Sequence, residues 1–252
     1  MWMEGSTSNA YRMWFQHMDI NRIPFYQYNT IIVGTGAAGL NAAVTLHKLG
    51  QKNIALITEG RYMGTSRNTG SDKQTYYKLT QCGSEPDSVR KMAETLFDGG
   101  CVDGDIAMAE AAGSLRAFYH LVDIGVPFPF NKSGEYVGYK TDHDPLKRGI
   151  SAGPLTSKYM TECLERQAEE RGIPFFDGYQ AVRLLTEEKN GEKWAAGIIA
   201  LNKRKAASAD ERYAVFSAVN IIWATGGEAG MYQASVYPCL LYTSPSPRDP
   251  KT

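Results

Sequence analysis

The chain has 252 residues, 43% hydrophobic and 21% charged, a globular composition that argues against wholesale disorder and collagen-like repeats. Its 27 Lys and Arg balance 27 Asp and Glu, for a formal net charge of zero. No global field therefore favours a nucleic acid or an anionic membrane surface.

In chain order, residues 1–27 are rich in aromatics and methionine without a firm period, and Pro24 interrupts them. They are expected to form an N-terminal arm packed on its own domain. From Asn29 the pattern changes. Ile31, Ile32 and Val33 make a short β-branched run ending at Gly34, the pattern of a buried parallel strand. Ala37, Ala38, Leu40, Ala42, Ala43, Val44 and Leu46 then give a helix that stops at Gly50. A second apolar run, Asn53–Thr58, completes a strand–helix–strand unit of about 30 residues, the length of a right-handed crossover.

Beyond a polar, Gly-rich stretch over 60–83, Pro86 opens a helix through Phe97, and another spans Asp105 to Val122. Pro127 and Pro129 mark a turn, and residues 131–153 form a loop. Leu155–Arg171 predicts an amphipathic helix ending at Gly172. Strands around Ala181–Leu185 and Trp194–Leu201 flank the turn Lys189-Asn190-Gly191, giving a β-meander. A last buried strand, Ala218–Trp223, is expected to run into Ala224-Thr225-Gly226-Gly227. The segment 239–252 carries Ser244, Pro245, Ser246, Pro247 and Pro250 and is expected to be a disordered, non-native tail.

The chemistry concentrates at Gly34-Thr35-Gly36-Ala37-Ala38-Gly39, a G-x-G-x-x-G that follows a strand and opens a helix. Gly34 permits the tight turn, Gly36 the close approach of a diphosphate, and Gly39 the packing of helix on strand. The unpaired amides of the first helical turn, including those of Ala37 and Ala38, would hold the phosphates. Glu59, twenty residues beyond Gly39 at the end of the second strand, would accept both hydroxyls of an adenosine ribose. That choice favours FAD or NAD over a 2′-phosphorylated cofactor.

The runs IIVGTGAAGLNAA, ITEGRYMGTSRNTGS, the meander and IIWATGGEAGMY together resemble the FAD-binding region of one flavoprotein family. That family comprises the flavoprotein subunits of succinate dehydrogenase and fumarate reductase, with aspartate oxidase among its relatives. The resemblance runs from Tyr28 to Pro238. It implies an α/β, Rossmann-like FAD-binding domain with a central parallel sheet and a β-meander, C-terminally incomplete because the capping domain would follow. By resemblance, Thr65 and Ser66 reach the isoalloxazine, Gly70 and Ser71 pass beside it, and Ala181 with Val182 lies near the adenine. Ala224, Thr225 and Gly226 would form the second contact with the cofactor. Membrane-bound members carry a histidine covalently joined to FAD in this stretch. Thr65 stands near that position, and no His occurs between residues 48 and 119, so non-covalent FAD is expected.

The reaction implied by the resemblance is hydride exchange between flavin N5 and a dicarboxylate or related unsaturated acid, with an arginine moving the proton. The flavin supplies the redox chemistry and the protein supplies orientation and charge. Among the residues present, Arg148 resembles an arginine of the relatives, and His143 sits beside it in a polar cluster with Asp142, Asp144 and Lys147. These are the weak catalytic candidates, a solvated loop being the simpler reading of the cluster. No metal site is expected there, because three ligands so close on one loop give poor coordination geometry.

Without its cap the chain is expected to be inactive, a non-catalytic FAD-binding module as it stands. The other alternative, an NAD(P)H-dependent flavoprotein reductase, needs a second G-x-G-x-x-G, and residues 60–252 contain none. Iron–sulfur and haem motifs are lacking too, so any such centre, with the electron-transfer partner it implies, would be on another subunit or domain. Cys82, Cys101, Cys163 and Cys239 form no C-x-x-C pair, and the N-terminus lacks the features of a signal peptide. A cytoplasmic protein without membrane insertion is expected.

Overall fold

The structure is a computed structural model and describes residues 22–69, 74–100, 102–141, 144–204 and 212–227. Of the arm expected over residues 1–27, residues 1–21 lie outside the described residues, as does the tail over 239–252, while residues 25–27 belong to the first strand rather than to an arm. In chain order the elements are β1 (Phe25–Val33), α1 (Ala37–Lys48), β2 (Ile54–Thr58), the single turn α2 (Thr65–Asn68), β3 (Tyr76–Tyr77), α3 (Val89–Asp98) and α4 (Gly104–Asp123). They continue with β4 (Gly149–Ile150), α5 (Thr156–Glu170), β5 (Phe175–Asp177), β6 (Tyr179–Lys189), β7 (Glu192–Asn202) and β8 (Tyr213–Trp223). The chain divides into two compact units, residues 1–68 with 165–252, and residues 69–164. The sequence pattern alone suggested one continuous stretch from 28 to 238.

The first unit is built on a six-stranded sheet of order β5-β2-β1-β8-β7-β6. β5, β2, β1 and β8 run parallel, whereas β8, β7 and β6 are antiparallel. The meander is thus a continuation of the same sheet. β2 is short because it is buried throughout, all five of IALIT being inaccessible, and such a strand cannot lengthen without polar residues entering the core. α1 turns Gly39, Leu40, Ala43 and Val44 inward and ends in His47 and Lys48, whose basic side chains suit the negative end of the helix dipole.

β8 extends further than its apolar end suggests, because Phe25–Val33 pairs with it in register from Phe25↔Val215 to Val33↔Trp223. Its last stretch is open on one side, with Val219 73% and Trp223 52% exposed, so the expectation of a fully buried strand fails there. The core between meander and parallel strands holds Ile31, Val33, Ile57, Ile198, Ala200 and Phe216. Tyr26 stacks on Phe216 at 5.0 Å, and Phe176 meets Phe216 edge-on at 4.7 Å. Such pairs add about 0.5–1.5 kcal/mol to the gain from burial alone. The β6–β7 hairpin turns on Asn190 and Gly191, both at positive φ (55° and 81°), the twist a two-residue hairpin needs.

In the second unit the two-stranded β3–β4 ladder is antiparallel. Ser88 caps α3 by accepting from the Lys91 amide at 3.1 Å, and Asp103 caps α4 by accepting from Asp105 and Ile106. The two helices meet through Met92, Ala93, Ala107 and Ala111. Small alanines let their axes approach.

Phe216 is fully buried amid the aromatic cluster. The substitution Phe216→Ala is expected to lower unfolding free energy by about 3–5 kcal/mol, read from the midpoint of urea denaturation.

Candidate functional site

In the first unit, strand order reverses at β1, which has β2 on one side and β8 on the other. Crevices at such switch points, beyond the carboxyl ends of the strands, are where open α/β sheets place ligands. The three strand ends are tied together there. The Gly34 amide donates to Ile57 O at 2.8 Å, and the Ala224 amide donates to Val33 O at 2.8 Å.

Gly34 has φ +108°, and a Cβ there would lie 2.2 Å from the carbonyl oxygen of Ala224. No other residue type fits without moving β8. A Cβ on Gly39 would lie 2.1 Å from Gly34 O, so the helix start is pressed directly onto the turn. Gly36 is different: the nearest atom to a Cβ there is the Ser66 hydroxyl oxygen at 3.3 Å. Its role is access to the backbone, not close packing of the chain on itself.

The helix start is correspondingly open. Gly36 contributes no side-chain cap, and Leu40 is the first residue whose amide bonds back, to Gly36 O at 3.0 Å. The amides of Ala37, Ala38 and Gly39 precede that ladder. Ser66 Oγ accepts from the Ala37 amide at 3.3 Å, and Ala38 is exposed. Ala38 is thus open to an anion at the positive end of a twelve-residue helix, with the buried Gly39 amide behind it. The glycine turn is also pinned from beneath, since Thr35 Oγ1 donates to Thr58 Oγ1 at 3.0 Å in a buried pair. The sequence pattern does not single out Thr35, which occupies a variable place in the motif.

Glu59 directly follows β2, with its side chain only 16% exposed, and its carboxylate is paired with the ammonium of Lys203. The turn, the helix start and the acidic residue therefore lie in one unit at the ends of adjacent strands. These groups fit the diphosphate and ribose of a dinucleotide: amides that donate to phosphate, and a carboxylate that accepts hydrogen bonds from hydroxyls.

Other expected residues are placed as follows. Thr65 opens α2 and is half-buried, while Ser66 stands against the first turn of α1. Ala181 lies on β6, paired with Ala200 and packed against the aromatic core. Ala224 adjoins Gly34, and Thr225 and Gly226 follow it exposed. Gly70, Ser71, Asp142 and His143 lie outside the described residues.

Arg148 belongs to the second unit. Its side chain is 0% exposed and engaged through all three nitrogens: Nε and Nη2 donate to Asp87 at 2.9 and 2.7 Å, and Nη1 to Thr95 and Tyr77 at 2.9 and 3.1 Å. Asp144 Oδ1 lies 3.4 Å away. A guanidinium so buried is out of a substrate's reach in this conformation, and its visible work is to join β4, α3 and the loop before it. Burial alone would make Asp87 a weaker acid, but the Arg148 hydrogen bonds and the amides of Thr80 and Ser88 outweigh it and hold its carboxyl below the usual range. Burial, reinforced by Asp144, pushes the Tyr77 phenol up to about 12. Among the described residues no group of His, Cys, Asp and Glu could hold a metal ion, and no helix is long and apolar enough to cross a membrane.

Known proteins resemble this chain in sequence and fold. A family model described as an FAD binding domain matches residues 29–241. The L-aspartate oxidase of Agrobacterium fabrum is 27% identical over 215 residues, which cover 83% of this chain and 37% of that protein. The 8-methylmenaquinol:fumarate reductase flavoprotein subunit of Wolinella succinogenes is 27% identical over 213 residues, covering 83% and 33%. In fold, the chain resembles E. coli quinol fumarate reductase with a TM-score of 0.66 at 22% identity, over 84% of this chain and 34% of that one. The chain thus spans 33–37% of the length of the two curated relatives.

Gly34→Ala is expected to destabilise the chain markedly and Gly36→Ala to leave its thermal midpoint nearly unchanged, because only the first Cβ strikes backbone. Arg148→Met, which strands a buried carboxylate, is expected to cost about 3–5 kcal/mol in urea unfolding. Asp87 is more acidic folded than unfolded, so its stabilisation is complete above the unfolded value of 3.8 and disappears as pH falls below it. Between pH 6 and 3 the urea midpoint should therefore drop further for the wild type than for Arg148→Met.

Proposed function

Because the chain belongs to the family of FAD binding domains, with aspartate oxidases and fumarate reductase flavoprotein subunits among its relatives, we propose that it is the FAD-binding portion of an oxidoreductase acting on a dicarboxylate or related unsaturated acid. The observation that carries this reading is the convergence of the open first turn of α1 with the Glu59 carboxylate at the ends of β1 and β2. When bound, FAD would supply hydride transfer through its flavin ring.

The chain's own residues bind and orient. Ala38 and Gly39 amides hold the diphosphate, with Ser66 steadying the Ala37 amide beside them. Glu59 accepts the ribose hydroxyl protons, which selects against a 2′-phosphate by charge repulsion. Ala224, Thr225 and Gly226, which follow β8, would form the second contact with the cofactor, and Thr65 would reach the isoalloxazine. With Thr65 near the position at which the resemblance implies a histidine in covalent members, attachment in this reading is non-covalent. Ala181 contributes backbone groups towards the adenine from the start of β6.

The groups that select and hold the acid belong, in this reading, to the part of the relatives' length that this chain does not span, together with an arginine that moves the proton. The chain by itself is then a cofactor carrier without turnover, since a positioned proton donor is worth about 10²–10⁴-fold. Electrons would pass to a partner subunit. Cys82 and Cys163 are unpaired thiols, which suits a reducing, cytoplasmic setting.

Incubation with FAD followed by gel filtration is expected to yield protein carrying flavin absorbance, and acid precipitation should release that flavin to the supernatant. Protein that emerges colourless would overturn the assignment, and flavin retained in the acid pellet would overturn non-covalent attachment. Loss of a hydrogen bond to a charged group is worth about 1.5–3 kcal/mol, so Glu59→Gln is expected to weaken FAD about ten- to a hundredfold in a fluorescence titration.

A further inference from the structure

Glu59 does not stand alone at the end of β2. The Gly178 amide donates to Thr58 O at 2.9 Å, and the Lys203 amide donates to Gly178 O at 2.8 Å. A single residue between β5 and β6 thereby bridges the end of β2 to the end of β7. Gly178 holds φ +89°, and a Cβ there would come within 2.8 Å of the Arg204 side chain. The bridge therefore requires glycine.

On either side of this ladder the charges are paired in order. Lys203 Nζ meets Glu59 Oε1. Asp177 accepts the Arg61 amide on Oδ1 at 2.9 Å and the Arg204 guanidinium on Oδ2 at 2.6 Å. Both flanks of the short stretch 59–61 are thus held, one through the Glu59 side chain and the other through the Arg61 amide. The Glu59 side chain is 16% exposed, whereas that of Lys203 is 43% exposed. The carboxylate is thus the sheltered partner and the ammonium the one that water reaches.

We propose that Lys203 is a positioning residue for the Glu59 carboxylate, fixing its orientation for a ribose diol; this rests on the ribose-binding role proposed for Glu59. An ionised carboxylate offers about four lone-pair sites, and an ammonium carries donors only. Lys203 engages Oε1 and leaves Oε2 and the remaining sites of the group for hydroxyl protons. It cannot itself accept those protons, so it does not compete for the diol. The backbone bond to Gly178 O fixes the origin of the lysine side chain, which distinguishes it from a surface lysine reaching a carboxylate from a free loop. Ordering Glu59 beforehand removes rotamer freedom that the ligand would otherwise have to remove on binding.

The test is a cycle between protein and ligand, using calorimetric titration of the full chain with ADP and with 2′-deoxy-ADP. Wild type is expected to prefer ADP about tenfold, a hydrogen bond to a charged group being worth at least that ratio. Glu59→Gln should bring the ratio close to one. Lys203→Met should reduce it to about threefold with an unchanged thermal midpoint, and Lys203→Arg should restore most of it. An unaltered ratio in Lys203→Met, while Glu59→Gln abolishes it, overturns the role of Lys203 alone, as does an equal loss of affinity for both ligands. A wild type that binds neither nucleotide, or an unaltered ratio in Glu59→Gln, overturns the ribose-binding assignment itself.

Discussion

The first unit depends on a place where two stretches of backbone touch with no room for a side chain between them. Gly34 lies against the Ala224 carbonyl, and Gly39 lies against Gly34 O. These contacts bring the ends of β1 and β8 and the start of α1 into one small volume. They also force the chain to leave β1 at positive φ, which aims the first helical turn over the strand ends. An anion-binding helix start follows from this geometry, because a turn pressed so tightly leaves no residue to cap the helix from within.

The surrounding polar groups keep that turn in place without occupying it. Thr35 and Thr58 satisfy each other beneath the loop, Ser66 takes one amide, and Gly178 ties β2 to β7. Buried hydroxyls and backbone groups are costly if unpaired, so each pairing limits where the loop can move. Further along, Arg61 extends this order, lying over the Phe175 ring at 4.1 Å and pairing with Glu165 and Glu169 of α5. The loop after β2 is thus anchored through charge at both ends of its course.

In the second unit a buried charge has the same organising place. Arg148 and Asp87 are both essentially inaccessible, with side chains 0% and 1% exposed, and neither is tolerable without the other. The sequence shows an arginine beside Asp144 and His143 and thereby invites a catalytic reading. What it hides is Asp87, sixty-one residues away, along with Tyr77 and Thr95, which complete the cage. Chemistry of residue type is visible in a string of letters; the burial and pairing of a charge are visible only when the partners are brought together.

Much was legible in the chain itself. The β1–α1–β2 unit, the glycine turn, Glu59, both long helices, the hairpin at Asn190-Gly191 and the strand before Ala224 follow from periodicity, helix breakers and turn chemistry, all local properties. The family resemblance read from those motifs agrees with the match over residues 29–241. Tertiary structure alone decided that the meander joins the same sheet as the parallel strands, that β8 extends back to Tyr213 because β7 and, from Val215 onward, β1 are there to pair with it, and that Lys203 stands at Glu59. The reason is physical: turns and periods are set by neighbours in sequence, whereas strand order, the burial of a charge and the partner of a carboxylate are set by residues that only folding brings within reach.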